Sequence, residues 1–358
     1  MNTGLNLARF FLAFNVVIFH LWNVAAPGAG PVAVLGFFFT SGFLITQIVQ
    51  EVYVPRARSW AFLLNRSLRI YPQYLLAVGL GLLSIYFYPD VAHHINSYMR
   101  LPHDTGEWLA QITIFGLDRS DVRVLPATWT LATELYFYLL MGLWTARSKK
   151  ASLALCLISL PVGALCALKV LPFEFYGSPF GNGFVFLLGS VAYFYRDAVR
   201  IRPFIFLLAC VAYLAHLYVI PALEQSDVDK VNLAGSVLPF SLILLYLFQH
   251  DIRHAWVVRV SRVLGKMAYP MFLLHWAVCV VISAWLFHGL ASFDMPSRLE
   301  GAEYFLVMFL AVLFCSLLFY LLVDQPVEHY RRIVRGRGTV VVAAVTGDVL
   351  LASETTPT

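Results

Sequence analysis

Long apolar runs separated by short, arginine-bearing polar connections set the character of this chain. A bilayer with a hydrocarbon core about 30 Å thick needs about 20 consecutive apolar residues in helical form. Ten windows approach that length: 5–24, 32–50, 70–88, 127–146, 151–171, 183–199, 203–221, 233–250, 267–287 and 303–323. The pattern predicts an all-α, polytopic membrane bundle of about ten transmembrane helices, forming one transmembrane domain over residues 1–335. The apolar stretch 108–117 is too short to cross and reads as an interfacial helix or part of an outer loop. Residues 336–358 read as a loosely ordered cytoplasmic tail.

Composition strengthens this picture. Of 358 residues, 60% are hydrophobic and only 13% charged, and the mean hydropathy is +0.75, so the chain's surroundings are a lipid bilayer and not nucleic acid or bulk water. The five cysteines lie in apolar stretches without metal-like spacing and read as small hydrophobes, predicting neither a disulfide framework nor a metal site. Arg9 interrupts the first apolar run and no Lys or Arg precedes it, so that run reads as a retained span and not a signal peptide.

Sorting the 25 Lys and Arg residues into alternate connections gives an orientation. Most fall after windows 2, 4, 6, 8 and 10, among them Arg56, Arg66, Arg69, Arg147, Lys266, Arg331, Arg335 and Arg337. The positive-inside rule then makes both termini cytoplasmic, as an even number of spans requires.

Ionisable groups inside hydrocarbon need a partner, a wet cavity or a function. Arg9 and His20 lie eleven residues apart in window 1, three turns plus roughly 20°, so they share a helix face about 16 Å apart along the axis. Arg9 would stand near the cytoplasmic end and His20 in the outer half. Glu134 in window 4 falls at a depth similar to His20. Beside that imidazole it would fix a tautomer and support a general base; alternatively it pairs with an arginine or takes hydrogen bonds from tyrosines. Arg66 and Arg69, on adjacent turns, form an anion clamp suited to phosphates, or serve only to orient the chain. Ser41, in the stretch Gly36 to Thr46, reads as a packing residue before a nucleophile. His275 and Asp324 are further ionisable groups at membrane depth or its edge.

In order and content these segments resemble the acyltransferase-3 family of bacterial membrane acyltransferases. The likeness rests on Arg9 with His20, Gly36 to Thr46, Arg66 to Pro72, Trp129 to Tyr138, Leu264 to His275, and Asp324-Gln325-Pro326. It implies transfer of an acyl group, most often acetyl, from acyl-CoA to a hydroxyl of a carbohydrate such as lipopolysaccharide O-antigen or exopolysaccharide. Acetyl-CoA would be a donor substrate and not a bound cofactor, the acceptor a glycan or lipid-linked saccharide, and the location the cell inner membrane, multi-pass. Carried onto this chain, His20 becomes catalytic with Glu134; Arg9, Arg66 and Arg69 handle the donor; Ser41, Trp129, Tyr138, His275 and Asp324 support the site. Asp324 stands where the family often has glutamate, and Ala268 where serine is common. The chain ends soon after its last window, which implies the stand-alone form without an appended esterase-like domain. A proton-coupled permease using Arg9, His20 and Glu134 as a relay is the rival reading.

Overall fold

The computed structural model describes residues 2–54, 58–223 and 229–334, and among them all regular structure is helical. The tail 336–358 and Arg56, Arg335 and Arg337 lie outside the described residues. In chain order the helices are α1 Thr3–Leu21, α2 Ala29–Glu51, α3 Ser59–Phe87, α4 Pro89–Ile95, α5 Thr105–Thr113, α6 Trp129–Leu143 and α7 Lys149–Ala167. There follow α8 Pro179–Tyr195, α9 Pro203–Leu214, α10 Ile220–Leu223, α11 Asp229–Gln249, α12 Ala255–Leu286 and α13 Arg298–Phe319. A π turn, Ala215–Val219, joins α9 to α10; a second, Tyr320–Asp324, carries α13 on toward Val334.

Each apolar window is met by one helical segment, with α9, its π turn and α10 together serving the seventh. Seven of these helices (α1, α2, α3, α7, α11, α12 and α13) are long and apolar enough to cross a membrane. α6, α8 and α9 are shorter, at 15, 17 and 12 residues. Two windows begin late. α3 starts at Ser59 and α12 at Ala255, so Arg66, Arg69, Arg262 and Lys266 lie within helices, where a purely apolar criterion would leave them in connections. The short segment is α5, three residues earlier than its apolar signal, because Asp104 caps it by accepting from the Glu107 N–H at 2.8 Å.

Burial sorts the helices into an inner and an outer set. The apolar stretches of α2 and α12 are 72% buried inside the protein, whereas those of α7 and α13 are 22% buried. α13 is nonetheless very apolar, with a mean hydropathy of 2.9, and side chains such as Leu310 and Phe314 stand exposed. Apolar on all sides, with an outward face, is the mark of a helix facing lipid.

In lipid, helices gain little from burying apolar area against one another, so small residues and interhelical hydrogen bonds hold the bundle. α2 and α8 show both. A Cβ on Gly42 would sit 1.9 Å from the Phe186 carbonyl oxygen, and one on Gly189 would sit 2.2 Å from that of Phe39. The hydroxyl of Thr46 then donates to Ser190 at 2.7 Å, and Ser190 meets Ser152 of α7 at 2.9 Å. Arg147 ties the α2–α3 connection to the end of α6, donating to the carbonyls of Gly142, Tyr53 and Val54 and to the Ser59 hydroxyl, all at 2.9–3.0 Å. A residue read as an orienting charge is therefore also a structural tie.

The polar connection 89–126 uses its charged groups locally. His94 of α4 meets Asp294 at 2.8 Å, and Asp294 also accepts from the Ala291 N–H at 2.7 Å, closing α4 onto the α12–α13 connection.

Two outcomes follow from these contacts. Gly42→Ala should destabilise the protein by about 3 kcal/mol, because helix backbones must separate, whereas Gly79→Ala, whose added carbon meets nothing, should be close to neutral. Thermal unfolding of both variants in detergent checks the difference. At Asp294, partial burial works to raise the carboxyl's pKa, but the Ala291 N–H and His94 outweigh it and hold the group below its ordinary value. A depressed pKa contributes stability that is present above the ordinary value of about 3.9 and lost as pH falls through the folded value. Hydrogen-exchange protection factors in the 287–297 connection should therefore fall below about pH 4 in the wild type, and Asp294→Asn should show that lower protection already at neutral pH.

Candidate active site

Six helices converge on a chamber of about 670 Å³. α1 contributes Asn6 and Arg9, α2 Thr40 and Ser41, α3 Arg66 and Arg69, α6 Glu134 and Tyr138, α12 Lys266 and Tyr269, and the extended end of α13 Asp324 and Arg331. Local sequence explains the convergence. Ser41 and Gly42 are consecutive on α2, about 100° apart around the helix, so Gly42 meets the α8 backbone while Ser41 turns to α6. Glu134 and Tyr138 are four residues apart on α6 and so project from the same face.

Glu134 is the electrostatic hinge of this chamber. It accepts from the Ser41 hydroxyl and from the Tyr138 hydroxyl, each at 2.9 Å. Arg9 and Arg66 are near enough to feel its charge. The Arg66 guanidinium lies 5.5 Å from the Phe62 ring centre and 5.8 Å from that of Tyr138, and Arg69 lies 6.0 Å from that of Tyr269. Among the described residues, neither Arg9 nor Arg69 has a carboxylate within ion-pair distance. Asp324 is buried in the second π turn and accepts from the Gln73 amide, which fixes that turn against α3. Asn65 of α3 donates to the Arg331 carbonyl at 3.1 Å, closing the same side.

His20 lies elsewhere. It is the penultimate residue of α1, and its Nδ1 is 2.9 Å from Nε2 of His275 on α12, with the ring planes within 4° of parallel. The indole of Trp276 lies 4.7 Å from the His20 ring centre and 5.4 Å from that of His275. Trp276 is 4% exposed, and its indole N–H has no hydrogen-bond partner among the described residues. Phe272, on the chamber wall, has its ring 6.4 Å from that of His275, so the chamber wall adjoins the histidine pair.

Beyond the His20 end of α1 opens a second cavity of about 800 Å³, bounded by Phe19, Asn23 and Gly28 on one side and by Lys169, Glu174 and Tyr176 on the other. Trp129 stands edge-on to Tyr176 at 5.0 Å, on this side and not in the chamber.

Apart from Trp129, the expected residues thus divide into two groups. Arg9, Ser41, Arg66, Arg69, Glu134, Tyr138 and Asp324 share the chamber, while His20 and His275 form a separate pair. The expectation that Glu134 orients His20 needs correction: its hydrogen bonds go to Ser41 and Tyr138, the tyrosine alternative, and the partner of His20 is His275. The physical reason is packing order, since α1 lies against α2 and α12, whereas α6 lies against α2 and α3. Equal depth in the membrane did not make the two side chains neighbours. Ser41, read as packing, proves to be a donor to the half-buried Glu134 carboxyl group. Tyr269, Gln73 and Trp276 went unassigned. Gln73 carried a signal, being an amide in an apolar run; Trp276 carried none beyond standing next to His275.

A polytopic helical bundle with a cationic chamber and a histidine pair defines a multi-pass membrane protein whose ionisable groups are gathered into internal sites. Residues 2–321 match the model of the acyltransferase-3 family, described as an acyltransferase domain, and the chain belongs to that family. Neither a curated protein nor a solved structure matches it.

Removing one donor to Glu134 tests the chamber's integrity. Ser41→Ala and Tyr138→Phe should each lower stability by about 1.5–3 kcal/mol, the range for a hydrogen bond to a charged group. The double variant should depart from additivity by at least about 0.5 kcal/mol, because both hydroxyls serve one carboxylate. Unfolding midpoints of the four proteins in one detergent give the answer.

Proposed function

We propose that this membrane acyltransferase moves an acyl group, acetyl in the first instance, from cytoplasmic acyl-CoA to a hydroxyl of an exported or cell-surface carbohydrate, from within the cell inner membrane and with both termini cytoplasmic. One observation carries the reading: α1 presents Arg9 to a cation-rich chamber at one end and His20 to a buried histidine pair at the other. Guanidinium groups without carboxylate partners, such as Arg9 and Arg69, suit the phosphates of CoA, with Arg66 beside them. Arg9 and His20 are about 16 Å apart along α1, a span that an extended pantetheine arm can bridge.

His20 then serves as general base. The acceptor O–H proton passes to the imidazole, the acceptor oxygen forms a bond to the thioester carbonyl carbon, the C–S bond breaks, and the CoA thiolate takes the proton back. Capture of the acyl group by the imidazole itself, followed by transfer to the acceptor, uses the same atom. The cavity beyond His20, with aromatic rings of Phe19 and Tyr176 and polar groups of Asn23 and Glu174, suits a sugar that stacks and hydrogen-bonds. Glu134 holds the chamber's charge balance and stands apart from the proton transfer.

Surface-glycan acetylation in cells carrying wild-type protein, His20→Ala or Arg69→Ala tests this reading. With normal membrane insertion, His20→Ala should lower O-acetyl content at least about a hundredfold, the scale of a lost general base. Arg69→Ala should act mainly by raising KM for acyl-CoA in purified protein. Unchanged O-acetyl content in both variants would sink the proposal.

A further inference from the structure

The hydrogen bonds around the histidine pair fix where its protons sit. Nδ1 of His275 lies 3.1 Å from the Met271 carbonyl oxygen. A carbonyl oxygen only accepts, so Nδ1 of His275 carries a hydrogen. In a neutral ring its Nε2 is then bare and can only accept. Across the 2.9 Å contact Nδ1 of His20 must therefore donate, which leaves Nε2 of His20 without a hydrogen and its lone pair available. The ring planes are within 4° of parallel, and their centres are 5.1 Å apart, close to the N···N separation plus two ring radii, so they meet edge to edge as a linear N–H···N bond requires.

We propose that His275 is a positioning residue: the series Met271 carbonyl, His275, His20 locks His20 in the Nδ1–H tautomer and presents its Nε2 to the reacting groups. This rests on the reading of His20 as the base or acyl acceptor. His275 does for His20 what a carboxylate does in many hydrolytic triads, with one difference suited to the membrane. A carboxylate at this fully buried position would be a standing charge in hydrocarbon, whereas a neutral imidazole accepts the same hydrogen bond without one. When His20 takes the acceptor's proton on Nε2, its Nδ1–H becomes a stronger donor, and the waiting lone pair of His275 stabilises the imidazolium in place. α1 and α12 are packed along their lengths, which holds the two rings in register. His275 touches neither the chamber nor the phosphate-binding arginines, so its contribution belongs to the chemical step and not to donor binding.

Purified full-length protein releasing CoA from acetyl-CoA, with water as acceptor, tests this with three variants. His275→Leu fills the space but offers no acceptor, and His275→Gln places an amide oxygen where Nε2 stood. We expect His275→Leu to lose at least about a hundredfold in kcat while KM for acetyl-CoA stays within about twofold. His275→Gln should regain at least about tenfold of that loss. A purely structural role predicts the reverse order, because leucine fits the apolar surroundings better. His275→Leu at wild-type kcat, or no difference between the leucine and glutamine variants, overturns the positioning role. His20→Ala at wild-type kcat instead overturns the underlying reading of His20, and the inference falls with it. Should the His275 variants fail to fold, solid-state NMR of wild-type protein labelled with ¹⁵N-histidine decides: His20 with a protonated Nδ1 and a bare Nε2 supports the proposal, and the opposite tautomer overturns it.

Discussion

A charge in hydrocarbon is tolerable only where opposite charge, hydrogen bonds or water meet it, and the rest of this molecule is arranged around that constraint. Its expression here is the half-buried carboxyl group of Glu134 on α6, held by the hydroxyls of Ser41 and Tyr138. Around that carboxyl group Arg9, Arg66 and Arg69 line one chamber. Asp324, held by Gln73, closes the far wall. The close approach of α2 to α8 through Gly42 and Gly189 fixes the angle from which Ser41 reaches the carboxylate.

The other end of α1 obeys the constraint by a different route. His20 and His275 satisfy each other as a neutral pair, with Met271 taking the last hydrogen, so nothing charged need be buried until a proton arrives. On the proposed mechanism, charge is carried by the chamber's arginines and arises at the imidazoles only during proton transfer. Phe37 and Phe272 meet on the chamber wall with their rings 6.4 Å apart. That division suits a reaction in which a polyanionic donor must be held while its reactive end meets a base in dry surroundings.

Much of this was legible in the chain and some of it was not. Apolar length is a property of contiguous residues, so each of the ten windows found its helix. Arg66 and Arg262 escaped it, because a helix extends beyond its apolar stretch whenever polar residues have an internal chamber to enter. The shared face of Arg9 and His20 follows from helical periodicity alone, and their separation survives in the structure. Which helix stands beside which is not a local property. Glu134 and His20 have matching depths, yet α2 and α3 are the neighbours of α6, and α12 brings His275 to His20 instead. Trp129 and Glu134 are five residues apart on α6, an interval that carries a side chain more than 7 Å along the helix axis, so Glu134 lines the chamber while Trp129 packs against Tyr176 on the wall of the second cavity.

The central claim is that one donor molecule spans from the cationic chamber to the histidine pair. Photo-crosslinking with two CoA analogues tests it directly, one reactive at the adenine end and one at the acyl end. The account predicts that the adenine-end probe labels the chamber segments of α3 and α12 around Arg66, Arg69 and Tyr269, and that the acyl-end probe labels α1 and α12 around His20 and Trp276. Labelling of one and the same patch by both probes, or of the adenine end away from the chamber, would contradict it.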